Sequence, residues 1–182
     1  MEEFAQVIPT DIKPSSSLAH YEICDVTQPD SIKSLLAKHK ATSIIHLSAI
    51  LSGAGEKDPR LARAVNIDGF MNVLEAAKEF GCQLVSPSTI AVFGPGSPRV
   101  KTPDFTVMRP STIYGVSKVL MELMGEYYHR RFGVDFRSIR LPGVISPEPI
   151  HGFGTTGNPY VSKDQEMMLF RFCSGNVSGS PI

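Results

Sequence analysis

The chain has 182 residues, of which 42% are hydrophobic, and its formal net charge at neutral pH is zero. These values are typical of one globular domain with a real core. A balanced charge excludes the basic surface that attracts nucleic acid or anionic membranes, and no apolar run is long enough for a membrane span. The three cysteines, Cys24, Cys82 and Cys173, have no metal-ligand spacing and indicate reduced thiols in a reducing compartment.

Short apolar runs alternate with helical patterns along the whole chain. Strands are expected over residues 4–9, 21–24, 43–47, 83–86 and 135–141. Helical periodicity covers the residues around 32–37, those from 61 to 81 and the stretch after Tyr114, and a turn is expected at 52–55. This alternation predicts an α/β fold with a Rossmann-like parallel sheet and flanking helices.

Candidate ligand-binding residues fall where the predicted strands end. Parallel sheets bind ligands beyond the carboxyl ends of their strands. The residues at those ends are Asp11, Asp25, Ser48, Ser88, Thr89 and Pro142. We therefore expect these residues to line one shared crevice.

A second pattern combines a hydroxyl pair with a phenol and an amine. Ser88 and Thr89 follow an apolar strand, and Tyr114 and Lys118 are one helical turn apart on the same helix face. A nearby cation favours the phenolate and lowers the pKa of a tyrosine. The set is therefore suited to removing a proton from an alcohol while a hydride leaves. Alone, a Tyr-x-x-x-Lys spacing is also found in a solvated lysine beside a half-buried tyrosine.

Several segments carry a resemblance to the extended short-chain dehydrogenase/reductases, the family of nucleotide-sugar epimerases and dehydratases. Within that family the chain is most similar to the L-threonine 3-dehydrogenase branch, over about residues 5–156. The segments are HLSAILS at 46–52, NIDG at 66–69, PSTIAVFGP at 87–95, RPSTIYGVSK at 109–118, GEYY at 125–128, LPGVIS at 141–146 and GTT at 154–156.

The resemblance implies NAD as cofactor and a role for each matching residue. Tyr114 is expected to be the general base, Lys118 to tune it and bind the nicotinamide ribose, and Thr89 to be the catalytic hydroxyl. The implied substrate contacts are Ser52, Ser88, Thr155 and Thr156. The implied NAD contacts are Asp11, Asp25, Val26, Leu47, Ser48, Ala49, Asn66, Tyr114, Lys118, Leu141, Pro142 and Val144. The implied reaction oxidises C3 of L-threonine to give 2-amino-3-oxobutanoate.

Taken from the residues alone, most of these positions also have structural explanations. Asp11 is a common turn residue, and Asp25 and Asn66 are residue types that cap helices or close turns. Ser48 and Ser52 are ordinary strand-end and loop residues. His46 is expected to be a core histidine within its strand.

Two departures from the family pattern bear on activity. The chain begins at what would be the second strand, without the glycine-rich turn that holds the cofactor pyrophosphate. The strands at 4–9 and 21–24 must then either close directly onto 43–47 or leave a sheet edge open. After Thr156 the resemblance stops. We expect a partial NAD-binding domain over 1–156, without most of the substrate domain, and a divergent, loosely ordered tail over 157–182.

Three functions are hypotheses at this point: an NAD-dependent L-threonine dehydrogenase, a catalytically inactive truncated form of it, and a nucleotide-sugar epimerase or dehydratase. The expected partner is the small-molecule substrate, L-threonine, with no nucleic acid or membrane partner. A homodimer through helices near 59–80 and 111–132 is also expected. The resemblance implies a mitochondrial location. The acidic first residues are not an Arg-rich presequence, so a cytoplasmic location stays open.

Overall fold

The computed structural model describes residues 6–14, 21–103, 105–142 and 172–173. The strands are β1 Thr10–Asp11, β2 Glu22–Ile23, β3 Ser43–Ile45, β4 Gln83–Thr89, β5 Phe136–Leu141 and β6 Phe172–Cys173. The helices are α1 Pro29–His39, α2 Ser52–Lys57, α3 Pro59–Arg63, α4 Phe70–Phe80 and α5 Ile113–Phe132, with a π-helical segment at Ala64–Gly69 and a 3-10 turn at Ile90–Val92. Across these ranges, no helix is long and apolar enough to cross a membrane.

The strands form two separate sheets, so the first two strands do not pair with the others. β1 and β2 pair in parallel as a two-stranded sheet. The second sheet has the order β3-β4-β5-β6, parallel except for β6, which pairs antiparallel with β5. The α/β class with parallel sheets is thus confirmed. Of the two expectations for the gap, the open edge is the one observed.

The core lies between the larger sheet and helices α4 and α5. Alternate residues of β4, Leu84, Ser86 and Ser88, are buried on the face toward these helices. Phe70, at the start of α4, is 1% exposed, and its ring lies 6.1 Å from that of Phe136 on β5. Gly125 lets α5 approach the sheet, because a Cβ there would lie 2.1 Å from the Phe136 ring. This packing fixes α5 against the amino-terminal part of β4 and β5, since Phe136 pairs in register with Leu84.

The smaller sheet is attached mainly through the turn and helix after β2. Helix α1 packs against α4, burying Ile32 and Leu36 in the common core. Val26, just after β2, packs so closely on Gly69 that a Cβ there would lie 2.8 Å from the valine side chain. The Asn72 side-chain amide donates to the Val26 carbonyl at 3.0 Å. The β2–α1 turn is therefore held in place although β1 and β2 have no contact with β3 in a ladder.

Three predicted boundaries were wrong. The segment 52–55, expected as a turn, begins helix α2. The strand expected over 4–9 is not formed over residues 6–9, and β1 is Thr10–Asp11 instead. The helix expected over 61–81 is present as a continuous helical run from Pro59 to Phe80, in which Ala64–Gly69 is π-helical. The strand expected over 83–86 continues to Thr89 as β4. The extension carries the hydroxyl residues inside the strand rather than beyond it.

Candidate functional site

Pro87 ends the hydrogen-bond ladder between β3 and β4, and the main-chain carbonyls around it are bound by side chains of the candidate site. The His46 amide donates to the Val85 carbonyl at 2.8 Å, but Pro87 has no N–H to return to the His46 carbonyl. The Ser86 hydroxyl donates to that carbonyl instead, at 3.3 Å. The Pro87 carbonyl accepts from Lys118 Nζ at 2.7 Å. The predicted lysine is thus tied to the strand that carries the predicted hydroxyls.

The start of α5 brings Tyr114 to the same strand end. Thr112 caps the helix by accepting from the Gly115 amide at 3.0 Å, and Glu56 of α2 accepts from the Ile113 amide at 2.8 Å. Gly115 is required for close approach, since a Cβ there would lie 2.3 Å from the Ala91 carbonyl oxygen. The first turn of α5 therefore lies against the 3-10 turn that comes after Thr89.

The Tyr114–Lys118 pair is partly buried, and burial dominates its titration. Lys118 is 9% exposed, and desolvation lowers its pKa to about 8, partly opposed by the Glu122 carboxylate. Burial raises the pKa of the Tyr114 phenol. This is opposite to the expected effect of a nearby cation, because the Lys118 amine lies 5.8 Å from the phenol ring centroid and donates to Pro87.

His46 is a core residue, as its sequence position indicates. It is 6% exposed, and its ring lies 5.8 Å from that of Phe70. Burial, with a smaller contribution from the charge on Lys118, lowers the pKa of His46 to about 4. The imidazole is therefore neutral at pH 7 and adds no charge beside Lys118.

The two hydroxyls of the predicted set have different surroundings. Thr89 is half-buried, accepts from the Ala91 amide at 3.2 Å, and pairs in register with Leu141 of β5. Ser88 is 3% exposed and donates its hydroxyl proton to the Glu122 carboxylate. The structure therefore turns Ser88 inward, toward α5, and Thr89 is the last residue of β4, beside the 3-10 turn.

Asn66 joins the loop after β3 to helix α5. Its side chain accepts from the Ile50 amide at 2.7 Å and donates to the Ile50 carbonyl at 2.9 Å. The same amide nitrogen lies 3.4 Å from the Ser117 hydroxyl, and Ser117 donates to the Tyr114 carbonyl at 2.7 Å. The structure thus gives Asn66 a bracing contact, and it adds Ser117, which the sequence pattern did not single out.

The predicted adenosine-side residues lie at the ends of β1 and β2. Asp11 is exposed and accepts from the Lys13 amide at 3.2 Å. Asp25 accepts from the amide and the hydroxyl of Thr27 at 2.9 and 2.8 Å, which closes the turn before α1. A carboxylate offers about four acceptor positions, so both aspartates can also accept from ribose hydroxyls. Val26, beside them, packs on Gly69.

The remaining predicted residues divide into two groups. Leu47 and Ser48 are exposed beyond β3, and Ala49 and Ser52 are half-buried in and after the same loop. Leu141 and Pro142 are half-buried at the end of β5. The residues Val144, Thr155 and Thr156 lie outside the described residues. Glu56 and Glu122, which hold α5 and Ser88, were missed because a surface-like glutamate in a helix carries no pattern of its own.

A parallel α/β sheet with flanking helices is Rossmann-like in class, and the Tyr114–Lys118 pair lies near the carboxyl end of its strand β4. The chain belongs to the NAD dependent epimerase/dehydratase family, whose model matches residues 5–165.

Within this family, the chain is similar to several proteins named L-threonine dehydrogenase. The mitochondrial L-threonine 3-dehydrogenase of Sus scrofa is 52% identical over 132 residues, which is 72% of this chain and 35% of the relative. The crystal structure of L-threonine dehydrogenase from Phytophthora infestans is 49% identical with a TM-score of 0.77, covering 81% of this chain and 48% of that one. A monomeric L-threonine 3-dehydrogenase from a metagenome gives 39% identity and a TM-score of 0.78, covering 82% and 49%. This chain therefore spans between a third and a half of their lengths.

Proposed function

We propose that this chain carries the catalytic end of an NAD-dependent enzyme that oxidises the C3 hydroxyl of L-threonine. The observation that carries the proposal is the bond from Lys118 to the Pro87 carbonyl, which holds the lysine beside the strand end that bears Thr89. The close approach of α5 at Gly115 supports it by bringing Tyr114 to the same end. The names of the similar proteins supply the substrate, and oxidation of its C3 hydroxyl gives 2-amino-3-oxobutanoate as the product.

Each catalytic side chain has a defined task in this proposal. Tyr114 accepts the proton of the C3 hydroxyl, and Thr89 donates a hydrogen bond that orients the same oxygen. The Lys118 ammonium stabilises the phenolate and uses its remaining N–H groups for ribose hydroxyls. NAD, when bound, supplies the acceptor for the hydride that leaves C3. Ser52, together with Thr155 and Thr156, is proposed to hold the amino acid.

The described residues include side chains suited to the two riboses of NAD but no glycine-rich turn for its pyrophosphate. Asp11, Asp25 and Val26 are proposed to hold the adenosine end, and Leu47, Ser48, Ala49, Asn66, Leu141 and Pro142, with Val144, the nicotinamide side. The aspartates and Lys118 have the hydroxyl-binding chemistry that two riboses need. Within 6–14, 21–103 and 105–142, no glycine-rich turn leads from a strand directly into a long helix.

The activity is tested by measuring threonine-dependent NADH formation by its absorbance. Tyr114→Phe keeps the ring and removes the hydroxyl, so we expect turnover to fall by about 10²-fold or more. Tyr127→Phe on the same helix is the matched control, since Tyr127 is 51% exposed and has no role in the site. Unchanged turnover in Tyr114→Phe would remove the tyrosine as base.

A second candidate function is a non-enzymatic subunit that pairs with another chain. The separation of β1–β2 from β3 favours it, because Leu47 and Ile45 remain 70% and 66% exposed at the open edge. This candidate predicts no NAD binding by a folded sample, whereas the enzyme requires it.

Two further proposals concern assembly and location. Val116, Leu123 and Tyr127 form an exposed apolar stripe on α5, 44–54% exposed, which supports a homodimer through α5 and the helices near 59–80. Analytical ultracentrifugation of Leu123→Glu tests it: loss of the dimer supports this face, and an unchanged dimer removes it. A mitochondrial location rests on the mitochondrial relatives, and imaging of a tagged chain in cells tests it.

A further inference from the structure

One carboxylate on α5 is bound from two strands of the larger sheet. Arg140 of β5 makes a bidentate pair with Glu122, with Nε–Oε1 at 2.9 Å and Nη2–Oε2 at 2.6 Å. The Ser88 hydroxyl of β4 donates to Oε1 of the same group. Ser88 and Arg140 are partners in the strand register. Glu122 therefore connects helix α5 to β4 and β5 at one point.

The pair is too buried to be an ordinary surface ion pair. The Glu122 and Arg140 side chains are 14% and 21% exposed. The Arg140 guanidinium also lies 5.5 Å from the centre of the Phe93 ring, in the segment after the 3-10 turn. A paired charge in such surroundings is strongly coupled to its partner, and removal of one member leaves the other uncompensated. The pair is therefore able to fix geometry as well as charge.

The Glu122–Arg140 pair lies one helical turn from Lys118 of the candidate site. Lys118 and Glu122 are one turn apart on α5 and hold successive residues of β4: Lys118 binds the Pro87 carbonyl and Glu122 the Ser88 hydroxyl. Thr89 is the next residue of that strand. Two hydrogen bonds from neighbouring turns of one helix thus hold the two residues that precede the predicted catalytic hydroxyl of Thr89.

Several titratable groups surround Lys118. Tyr114 and Glu122 face it from its own helix, His46 from the end of β3, and Arg140 from β5 through its pair with Glu122. The Glu122 carboxylate raises the pKa of Lys118 against the larger effect of burial. His46 is neutral above its pKa of about 4, so it contributes no charge near pH 8. Glu122 is then the charged group that acts on Lys118 near pH 8, and Arg140 is paired with it.

We infer that Glu122 and Arg140 form a positioning pair that holds Ser88 against α5, and with it the end of β4 that bears Thr89, and that Glu122 stabilises the Lys118 ammonium. The inference rests on the proposed function for its meaning in catalysis. Neither residue touches the reacting atoms, and the pair acts through Ser88 and Lys118.

The test is a titration of Lys118 in the full chain without NAD or threonine. Protein carrying ¹³Cε-labelled lysine is titrated by NMR from neutral to strongly alkaline pH, and Lys118→Arg assigns the signal. We expect Glu122→Gln to lower the pKa of Lys118, because the attractive charge of the carboxylate is lost. We expect Arg140→Gln to raise it, because Glu122 is left without its partner.

Opposite shifts in the two variants are the result that a merely structural pair does not produce. Glu126→Gln is the matched control, since Glu126 pairs with Arg130 on the same helix at 47% and 64% exposure, and we expect no shift. Shifts of the same sign, or none, would overturn the inference. If Glu122→Gln does not fold, Arg140→Gln alone decides, since an unchanged or lowered pKa contradicts it. The titration uses neither substrate nor cofactor, so its failure is distinguishable from a failure of threonine oxidation.

Discussion

The two sheets of this protein differ in how their candidate ligand residues are held. In the larger sheet, Lys118 and Asn66 are buried and each is bound by main-chain atoms of a neighbouring element. In the smaller sheet, the carboxylates of Asp11 and Asp25 lie in local turns and accept hydrogen bonds from residues two positions further along the chain. The residues proposed for catalysis are therefore held by contacts between elements, whereas the residues proposed for the adenosine of NAD are held by short-range turn geometry.

This difference separates two requirements that a dinucleotide enzyme normally meets together. The proposed catalytic set requires α5, β4 and β5 to be in place, and their shared core provides that. Cofactor binding also requires the β1–β2 sheet to sit at a fixed distance from β3, and no ladder joins these strands. A change to the core is therefore expected to act on the site as a whole, and a change to the smaller sheet to act locally.

The largest effect is expected from the core beneath the larger sheet. Phe70→Ala removes a ring that is 1% exposed and contacts the rings of His46 and Phe136, so we expect a loss of about 3–5 kcal/mol in unfolding free energy. Urea unfolding monitored by circular dichroism measures it. Ile23→Ala, on β2 at 61% exposure, is the control and is expected to change stability by less than about 1 kcal/mol. Equal losses would contradict the division into two regions.

The next effect is a pH dependence that belongs to the larger sheet. His46 has a pKa of about 4 in the folded protein and an ordinary value of 6.5, so the unfolded chain binds more protons between these values. Stability is therefore expected to fall as the pH is lowered from 6.5 to 4, by about 3 kcal/mol if the whole shift applies.

Unfolding midpoints measured at pH values between the two pKa values of His46 isolate this contribution. The carboxylates Glu22, Glu75 and Asp135 have lowered pKa values, so their effects begin near their ordinary values of 4.5, 4.5 and 3.8, at the acid end of that range. Midpoints measured above about pH 5 therefore report mainly on His46. His46→Gln removes the titrating group. Should that variant keep the full pH dependence, another group would be responsible and His46 would not be the buried neutral histidine of this structure.

A smaller effect is expected at the contact that brings Tyr114 to the strand end. Gly115→Ala places a methyl 2.3 Å from the Ala91 carbonyl oxygen, so α5 must shift, and we expect a loss of about 1–3 kcal/mol together with reduced turnover. Gly96→Ala is matched, since its nearest neighbour would be 3.8 Å away. A stable, fully active Gly115→Ala would show that this approach does not position the tyrosine.

The class of fold and the pairing of Tyr114 with Lys118 on one helix could be predicted from the sequence because both have local patterns, whereas a catalytic role for these residues stays a prediction. Apolar alternation marks strands, and Tyr114 and Lys118 share a helix face by spacing alone. The inward direction of Ser88 could not be predicted, because it depends on Glu122, a glutamate 34 residues away on another element. The π-helical turn between α3 and α4 could not be predicted for a related reason, since it contains Asn66, whose side chain contacts Ile50 on another segment.

The direction of the pKa shift of Tyr114 could not be predicted from the sequence either. The spacing of a phenol and an amine predicts attraction, but burial of the ring and the bond from Lys118 to Pro87 are tertiary features. Only the packed structure shows which effect is larger.

The central claim, that the two regions together serve an NAD-dependent reaction, is tested most directly by titrating NAD into the purified chain by calorimetry. The sample is first shown to be folded by circular dichroism. We expect saturable binding that Asp25→Ala weakens through the smaller sheet and Lys118→Ala weakens through the larger one. No binding heat in a folded sample would contradict the enzyme and leave the non-enzymatic subunit as the function.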